Sequence, residues 1–290
     1  MAETASPAPQ AAAQPSIWRI ALRNRSVFWG GLILVIIALI AAFGSFFTAD
    51  PMDINPMGRL KPPGEFGLFG TDQLGRDVFS RVVNGARISL TVGTAVAVIS
   101  IVIGLFLGLV AGYFRYMDAV IMRVMDGLMS IPAILLAIAL ISLSGATLLT
   151  VVTAIVIPEI PRVVRLVRSV VLTVREEPYV EAAIAAGTRT WLIMLRHVLP
   201  NTIAPLIVQA TYVCGSAMLT EAILGFLGAG IPPEIPSWGN IMSEGRTFFQ
   251  LTPWIIFFPG AALAVTVLAV NIVGDGLRDS LDPRIARTMR

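Results

Sequence analysis

Long apolar stretches that recur along the chain constrain its fold more than any other feature. Of the 290 residues, 56% are hydrophobic and 13% are charged, with a mean hydropathy of +0.81. A helix of about 20 apolar residues crosses the hydrocarbon core of a bilayer. Lipid offers no partners for backbone N–H and C=O groups, so a crossing segment satisfies them within its own helix. The sequence therefore predicts an all-α, polytopic membrane protein.

Six stretches have the length and composition of a membrane crossing. They lie at 27–47, 88–113, 120–143, 147–167, 203–227 and 253–273. Basic residues remain on the cytoplasmic side of a membrane protein. Arg19 and Arg23 precede the first stretch, and Arg165 and Arg168 lie at the end of the fourth. Six crossings therefore place both termini, and the segment between the fourth and fifth stretches, in the cytoplasm.

This topology divides the chain into five parts. They are a cytoplasmic N-terminal tail (1–26), a first transmembrane helix (27–47), a periplasmic segment (48–87), a five-helix transmembrane core (88–275) and a cytoplasmic C-terminal tail (276–290). The first 16 residues are rich in Ala, Pro and Gln, a composition typical of disorder. They lack the basic-then-apolar order of a signal peptide, so we expect the first apolar stretch to be a retained anchor.

Residue types needed for catalysis or metal binding are scarce. Cys214 is the only cysteine and His197 the only histidine, which excludes an internal disulfide, a cysteine cluster and a multi-histidine metal site. Lys61, the only lysine, follows no glycine-rich loop, and neither H-E-x-x-H nor G-x-S-x-G occurs. The small net charge of +3 indicates no nucleic-acid partner. The composition favours a transport subunit without catalytic residues, metal or cofactor, whose energy is supplied by another protein.

The segment at 178–201, between the fourth and fifth stretches, has the pattern of two short helices separated by a glycine. Pro178 suits the first position of a helix, and Glu181 places negative charge near the positive end of that helix. Gly187 supplies the backbone freedom that a sharp stop requires. Thr188 is the predicted N-cap of the second helix.

The second of these helices is predicted to be amphipathic. Its apolar face consists of Trp191, Met194, Leu195 and Val198. Arg189 and Arg196 lie together on the opposite face. Alanines at 182, 183, 185 and 186 would let another backbone come close. This combination suits docking into a groove on another protein.

The same segment resembles the "EAA" loop of ABC-importer permeases. That pattern is Glu-Ala-Ala, three residues, Gly, nine residues, an apolar position, one residue and Leu-Pro. The residues that match it in register are Glu181, Ala182, Ala183, Gly187, Leu199 and Pro200. His197 stands where the general pattern has an apolar residue, a departure that resembles the peptide-importer branch.

Two further motifs extend the resemblance over most of the chain. The run at 69–90, FGTDQLGRDVFSRVVNGARISL, is similar to the N-terminal signature of peptide-importer permeases, and GDGLRDSLDPR at 274–284 is similar to their inner tail. The chain thus resembles the dipeptide/oligopeptide/nickel family of ABC importers, with a DppC/OppC-type permease subunit. The resemblance implies a type I importer (MetI-like) fold with six transmembrane helices and a cytoplasmic coupling helix.

The resemblance also implies partners and roles. Such a permease pairs with a second, homologous permease, rests on two ATPase subunits and receives cargo from a periplasmic substrate-binding protein, all at the inner membrane. Glu181, Ala182, Ala183 and Gly187 would carry ATPase docking, with Arg189 as a polar contact. ATP-driven alternating access would then move di- or oligopeptides inward.

Two residues near the outer side are candidates for a gate or for contact with the binding protein. Glu221 is expected to be the most exposed charge inside any crossing, and Trp238 lies in the second external segment. An interfacial aromatic anchor is the alternative role for Trp238.

Other charged and small residues have structural interpretations. Arg76, Asp77 and Arg81 are expected to form a solvated, charge-paired surface helix or elbow before the second crossing. Arg123 and Asp126 are predicted to pair on one helix. Every fourth residue in part of the second crossing is a glycine: Gly104, Gly108 and Gly112. This spacing predicts that another helix packs closely against that face.

Alternative functions remain open on the sequence. An importer of the same class could carry a nickel complex, glutathione or another small solute. An ion-coupled secondary carrier would work without any ATPase and would stop when the ion gradient collapses. An ABC exporter permease and a passive scaffold are further alternatives, but neither accounts for the register of the EAA-like segment.

Overall fold

The computed structural model describes residues 24–281, and their regular structure is helical apart from one isolated antiparallel bridge between Thr71 and Asp77. The helices are α1 (Arg25–Phe43), α2 (Val78–Tyr113), α3 (Arg115–Met129), α4 (Ala133–Ser144), α5 (Leu148–Val174), α6 (Pro178–Ala185), α7 (Thr190–Ile193), α8 (Leu199–Phe226), α9 (Trp238–Gly245) and α10 (Trp254–Leu281). A π-helical turn, Met194–Val198, joins α7 to α8. The predicted tails beyond this range, with Arg19, Arg23 and Arg284, lie outside the described residues.

Four helical runs in residues 24–281 are long and apolar enough to cross a membrane. They are Arg25–Phe46, α2, Thr190–Phe226 and α10, and α3 with α4 gives a fifth if the bent pair counts as one crossing. Helix α5 is 27 residues long but carries Glu159, Arg162 and Arg165 in its middle. Six crossings, which require α5 as well, stay a prediction.

The third predicted crossing, 120–143, is broken rather than continuous. Helix α3 ends at Met129, α4 begins at Ala133, and the two meet at 87°. Pro132 stands at the break. Its ring disfavours helical geometry at the preceding residue and it has no N–H to donate. The hydropathy of the stretch could not show this bend, whereas the proline marks its place.

Close packing of α2 on α5 confirms the prediction made from the glycine stripe. A Cβ added at Gly104, Gly108 or Gly112 would lie 2.5–2.6 Å from the Cβ of the facing valine. The facing valines are Val163, Val167 and Val171. Both series ascend together, so the two helices run parallel. Two parallel helices require the chain between them to cross back to the side from which the first helix began. Helices α3 and α4 together make this connection between α2 and α5.

Two hydrophobic clusters hold the helices together. One unites α2, α4, α5 and α8 through mostly valine and alanine side chains, and the other unites α1, α2, α8, α9 and α10. Helix α1 packs along α10 and leaves Phe28, Trp29, Val35 and Leu39 exposed, as a helix in contact with lipid would.

A buried ion cluster joins the segment before α2 to α9. Asp72 Oδ2 accepts from Arg76 Nε and from Arg81 Nη1, each at 2.7 Å. Glu244 Oε1 accepts from Arg81 Nη2 at 2.9 Å, and its Oε2 contacts both arginines. The side chains of Asp72 and Arg81 are fully buried and Arg76 is 4% exposed. The expected solvated surface at Arg76 and Arg81 is therefore wrong, and α2 begins at Val78 without an elbow.

Helix α3 is tied to α5 by two further ion pairs. Arg168 donates to both carboxylate oxygens of Asp118, at 2.5 and 2.7 Å. Arg165 Nη2 donates to Asp126 Oδ1 at 2.6 Å. The predicted pair between Arg123 and Asp126 on one helix is therefore replaced by a pair between two helices. Sequence spacing shows neighbours on one helix but not those on a helix packed beside it.

Gly108→Ala tests the packing of α2 on α5. The new Cβ would stand 2.6 Å from Val167 Cβ, so we expect the free energy of unfolding to fall by about 1–3 kcal/mol. Gly31→Ala is the matched control, since it changes a helical glycine with no heavy atom within 4 Å of the added Cβ. Unfolding in mixed detergent micelles, followed by circular dichroism, measures both. Equal effects would contradict the packing argument.

Glu244→Gln tests the ion cluster. It leaves the buried Arg76 and Arg81 with one carboxylate between them, and we expect a loss of about 3–5 kcal/mol in unfolding free energy. Glu65→Gln removes an exposed partner of Lys61 and should change the same quantity by at most about 1 kcal/mol. If Glu244→Gln changed the unfolding free energy as little as Glu65→Gln, the ion cluster would not stabilise the contact between α9 and the segment before α2.

Candidate functional site

The segment between α5 and α8 forms a compact projection at the end of α5. Helix α6 begins at Pro178, and of its eight residues only Val180 is fully buried. Glu181 and Ala182 are exposed, while Ala183 is half-buried against the core. Helix α6 therefore presents most of its surface outward and is held by one side.

A Schellman turn ends α6 at the predicted glycine. The Gly187 N–H donates to the carbonyl of Ile184 at 2.9 Å, and the Thr188 N–H donates to the carbonyl of Ala183 at 3.1 Å. Gly187 has φ +76°, a conformation that costs a side-chain-bearing residue free energy. A Cβ there would meet no atom within 4 Å. The backbone, and not crowding within this chain, therefore requires the glycine.

The second helix of the segment differs from its prediction. Its N-cap is Arg189 rather than Thr188, whose N–H donates in the Schellman turn one residue earlier. After one turn, α7 passes into the π-helical turn and then directly into α8. The segment thus has one free short helix, α6, and a second part that is the beginning of a long membrane helix.

The π turn also moves the buried stripe. Trp191 is 55% exposed and Leu195 is 54% exposed, whereas Ile193 and Val198 are buried. In a π turn residues five apart, not four, share a face. The predicted apolar face is therefore divided, since Val198 packs into the core while Trp191 and Leu195 remain exposed.

The exposed surface of the segment is partly apolar. Glu181, Ala182, Gly187 and Arg189, all predicted site residues, lie on it together with Arg196. Trp191 and Leu195 of the predicted apolar face add large exposed side chains to it, and so do Tyr179 and Ile184, which the sequence analysis did not assign to the site. The apolar residues on both sides of Gly187 are the sequence feature that could have indicated this surface. An exposed apolar patch with a polar rim is typical of a protein-binding surface.

This surface is attached firmly to the membrane helices. Val180, Ile193 and Val198 are buried in the same cluster as the valines of α5. Arg175 Nη1, at the end of α5, donates to the carbonyl of Gly112 at the end of α2, at 3.3 Å. A force on α6 is therefore passed to α5 and α8 through packed side chains.

The two outer candidates are buried. Glu221 is 0% exposed, contrary to the expectation of an exposed charge, and the Ser89 hydroxyl donates to its Oε2 at 3.1 Å. Trp238 is 1% exposed, and its Nε1 donates to the carbonyl of Val82 at 3.0 Å. Neither side chain offers a surface to a binding protein, and Trp238 is no interfacial anchor. A role at an outer gate stays a prediction for both.

Comparison with known families gives two matches. Residues 100–287 match the binding-protein-dependent transport system inner membrane component, and residues 16–63 match the N-terminal transmembrane domain of oligopeptide transport permease C. The first match alone covers more than half of the chain.

Individual proteins agree with these families. A probable peptide ABC transporter permease of Sinorhizobium fredii is 53% identical over 94% of each chain. The dipeptide transport system permease protein DppC of Alkalihalophilus pseudofirmus is 42% identical, with 93% of this chain and 91% of the relative covered. Inward-facing MetNI, a methionine ABC transporter, has a TM-score of 0.50 at 19% identity, over 73% of this chain and 94% of its own. That structure shows the similarity of fold.

Val180→Ala tests how α6 is held. The loss of two buried methyl groups should lower the free energy of unfolding by about 1–3 kcal/mol and speed amide hydrogen exchange in α6. Ile184→Ala lies on the same short helix but changes a side chain that is 53% exposed, and should cost less than about 0.5 kcal/mol. Similar exchange in both variants would show that Val180 does not anchor the helix.

Proposed function

Because the chain belongs to the family of inner membrane components of binding-protein-dependent transport systems, as a DppC/OppC-type permease, we propose that it moves peptides inward through ATP-driven alternating access. It is a transport subunit and not an enzyme, as its relatives are permeases. Its sequence has no P-loop, so ATP hydrolysis falls to partner subunits.

The observation that carries the proposal is the exposed surface around Gly187. The surface is apolar and rimmed by arginine, and it is joined by buried valines to helices of the membrane core. We assign ATPase docking to Glu181, Ala182, Ala183 and Gly187, with Arg189 as a polar contact. Ile184 and Trp191 extend this surface with large apolar side chains.

The proposed cycle uses α6 as a short lever. When ATP closes the ATPase pair, α6 is displaced with the groove that holds it. Val180 transmits this displacement to the valines of α5, and the continuous run from Thr190 to Phe226 transmits it to α8. The helices open outward, and hydrolysis returns them to the inward-facing state.

The proposed assembly contains a second, homologous permease, two ATPase subunits and a periplasmic substrate-binding protein, in the inner membrane with both termini cytoplasmic. The cargo class is taken from the names of the relatives, which are peptide permeases. A glutathione transport system permease of Pectobacterium atrosepticum is 38% identical, so glutathione is the alternative cargo. An ion-coupled carrier is the competing function, and uptake that persists without the ATPases would favour it.

Gly187→Asp tests the docking role. An added Cβ meets no atom within 4 Å, so we expect normal insertion. ATP-dependent peptide uptake should fall at least about tenfold, which corresponds to about 1.4 kcal/mol of lost docking free energy. Uptake and ATP hydrolysis are measured in proteoliposomes that contain the whole importer.

Gly228→Asp is the matched control for that experiment. Gly228 also has a positive φ, +79°, and an added Cβ there also meets no atom within 4 Å, but it ends α8 in a second Schellman turn, in which its N–H donates to the carbonyl of Gly225 at 2.9 Å. Both glycines stand in the same kind of turn, so aspartate strains the backbone in the same way at the two positions. Equal loss of uptake in the two variants would contradict docking at Gly187.

A further inference from the structure

The inner half of α5 carries a polar face that is open in this chain. Four exposed residues follow one another at helical spacing along it: Arg162, Arg165, Ser169 and Thr173. The opposite face is the valine ridge that packs on α2. Helix α1, by contrast, exposes only apolar side chains such as Trp29 and Val35 over its middle. A face with guanidinium groups does not border lipid, so this face of α5 borders water or protein.

Arg162 lies at the depth of the membrane core. Its neighbour Val163 packs on Gly104, which lies nine residues before the end of α2 at Tyr113, or about 14 Å at about 1.5 Å per residue. The side chain of Arg162 is 42% exposed. Its Nη1 donates to both oxygens of Glu159, at 3.1 and 3.3 Å, while Nε and Nη2 have no partner within residues 24–281. The planar fork formed by these two nitrogens is therefore available to a ligand from outside the described residues.

A carboxylate lies beside that fork. Glu159 is 5% exposed and also accepts from the Ser216 hydroxyl of α8, at 3.2 Å. A carboxylate has about four lone-pair sites, so capacity remains for one more donor.

We propose that Glu159 and Arg162 form a binding site for the two termini of a small zwitterionic peptide in the translocation pathway. The Arg162 fork donates to the terminal carboxylate in bidentate geometry, and Glu159 accepts from the terminal ammonium. Glu159 and Arg162 are three residues apart, about 4.5 Å along the helix axis at about 1.5 Å per residue, and two extended residues span at most about 7 Å. The assignment rests on the proposed function, because it takes peptide as the cargo.

Charge complementarity favours a peptide over the second permease as the occupant. The site offers an open cationic fork and an anionic acceptor at once, which matches both ends of a zwitterion. Contact with the second permease is the alternative that the test must distinguish.

The test uses the whole importer in nanodiscs, without its binding protein, and measures the binding of dialanine by ligand-observed NMR. We expect saturable binding to the wild type and a dissociation constant raised about tenfold in Arg162→Lys, which keeps the charge but loses the fork. Arg165→Lys is the matched control, because Arg165 lies on the same face but pairs with Asp126. It should bind dialanine within about twofold of the wild type.

Blocked peptides assign each terminus. In the wild type, amidation of the carboxyl terminus and acetylation of the amino terminus should each weaken binding about tenfold. Arg162→Gln should bind the amidated peptide as well as it binds dialanine, but still bind the acetylated peptide more weakly. Glu159→Gln should bind the acetylated peptide as well as it binds dialanine, but still bind the amidated peptide more weakly. A merely structural role would weaken all three peptides alike.

Three outcomes would overturn the inference. They are absence of saturable dialanine binding to the wild type, an unchanged dissociation constant in Arg162→Lys, and loss of the second permease from the complex in Arg162→Lys, which would make Arg162 an interface residue. ATP-dependent uptake by the wild type, measured separately with binding protein present, tests the proposed function itself. Uptake without binding at this site would reject the inference alone.

Discussion

The fit of three glycines on α2 against three valines on α5 is the contact on which the rest of the structure depends. In lipid, helices gain little from hydrophobic burial and associate through close packing. Gly104, Gly108 and Gly112 let α5 approach so closely that any side chain in their place would overlap the valines. Because one face of α5 is fixed to α2 in this way, other helices contact its other faces. Helix α3 is tied to one of them by ion pairs, and α8 packs on another.

Most of the buried charged groups in residues 24–281 form ion pairs, and the surroundings of each pair determine what it can do. The cluster of Asp72, Arg76, Arg81 and Glu244 is balanced and closed, so it connects the segment before α2 to α9. The pair of Glu159 and Arg162 is balanced but open, since Arg162 is 42% exposed. An enclosed arginine–carboxylate pair thus stabilises the fold. A pair with one open side, such as Glu159 and Arg162, is the one for which we propose a binding role.

Much of the fold could be predicted from the sequence, but only where the cause was local. Hydropathy predicted an all-helical membrane protein, and the glycine period predicted the packing of α2. The positive φ at Gly187 was implied by the helix stop. The burial of Arg81 and of Glu221 could not be predicted, because it depends on partners more than a hundred residues away, Glu244 and Ser89. The π turn at Met194–Val198 was missed because a stripe of period 3.6 assumes an undisturbed α-helix.

The two proposed sites lie on one rigid element, and this has a mechanical consequence. Helix α5 carries Arg162 near its middle and leads at Val174 into the segment that holds α6. The valine ridge fixes α5 along its length to α2, so α5 cannot bend freely between these points. In the proposed cycle a displacement of α6 therefore reaches Arg162 through α5 and Ser216 through α8, and the difference between the two movements shifts α5 relative to α8. Ser216 of α8 bonds to Glu159, so that movement changes the acceptor side of the peptide site while the Arg162 fork travels with α5. Binding and release of cargo would then follow from relative motion of two helices, without any local switch in the site.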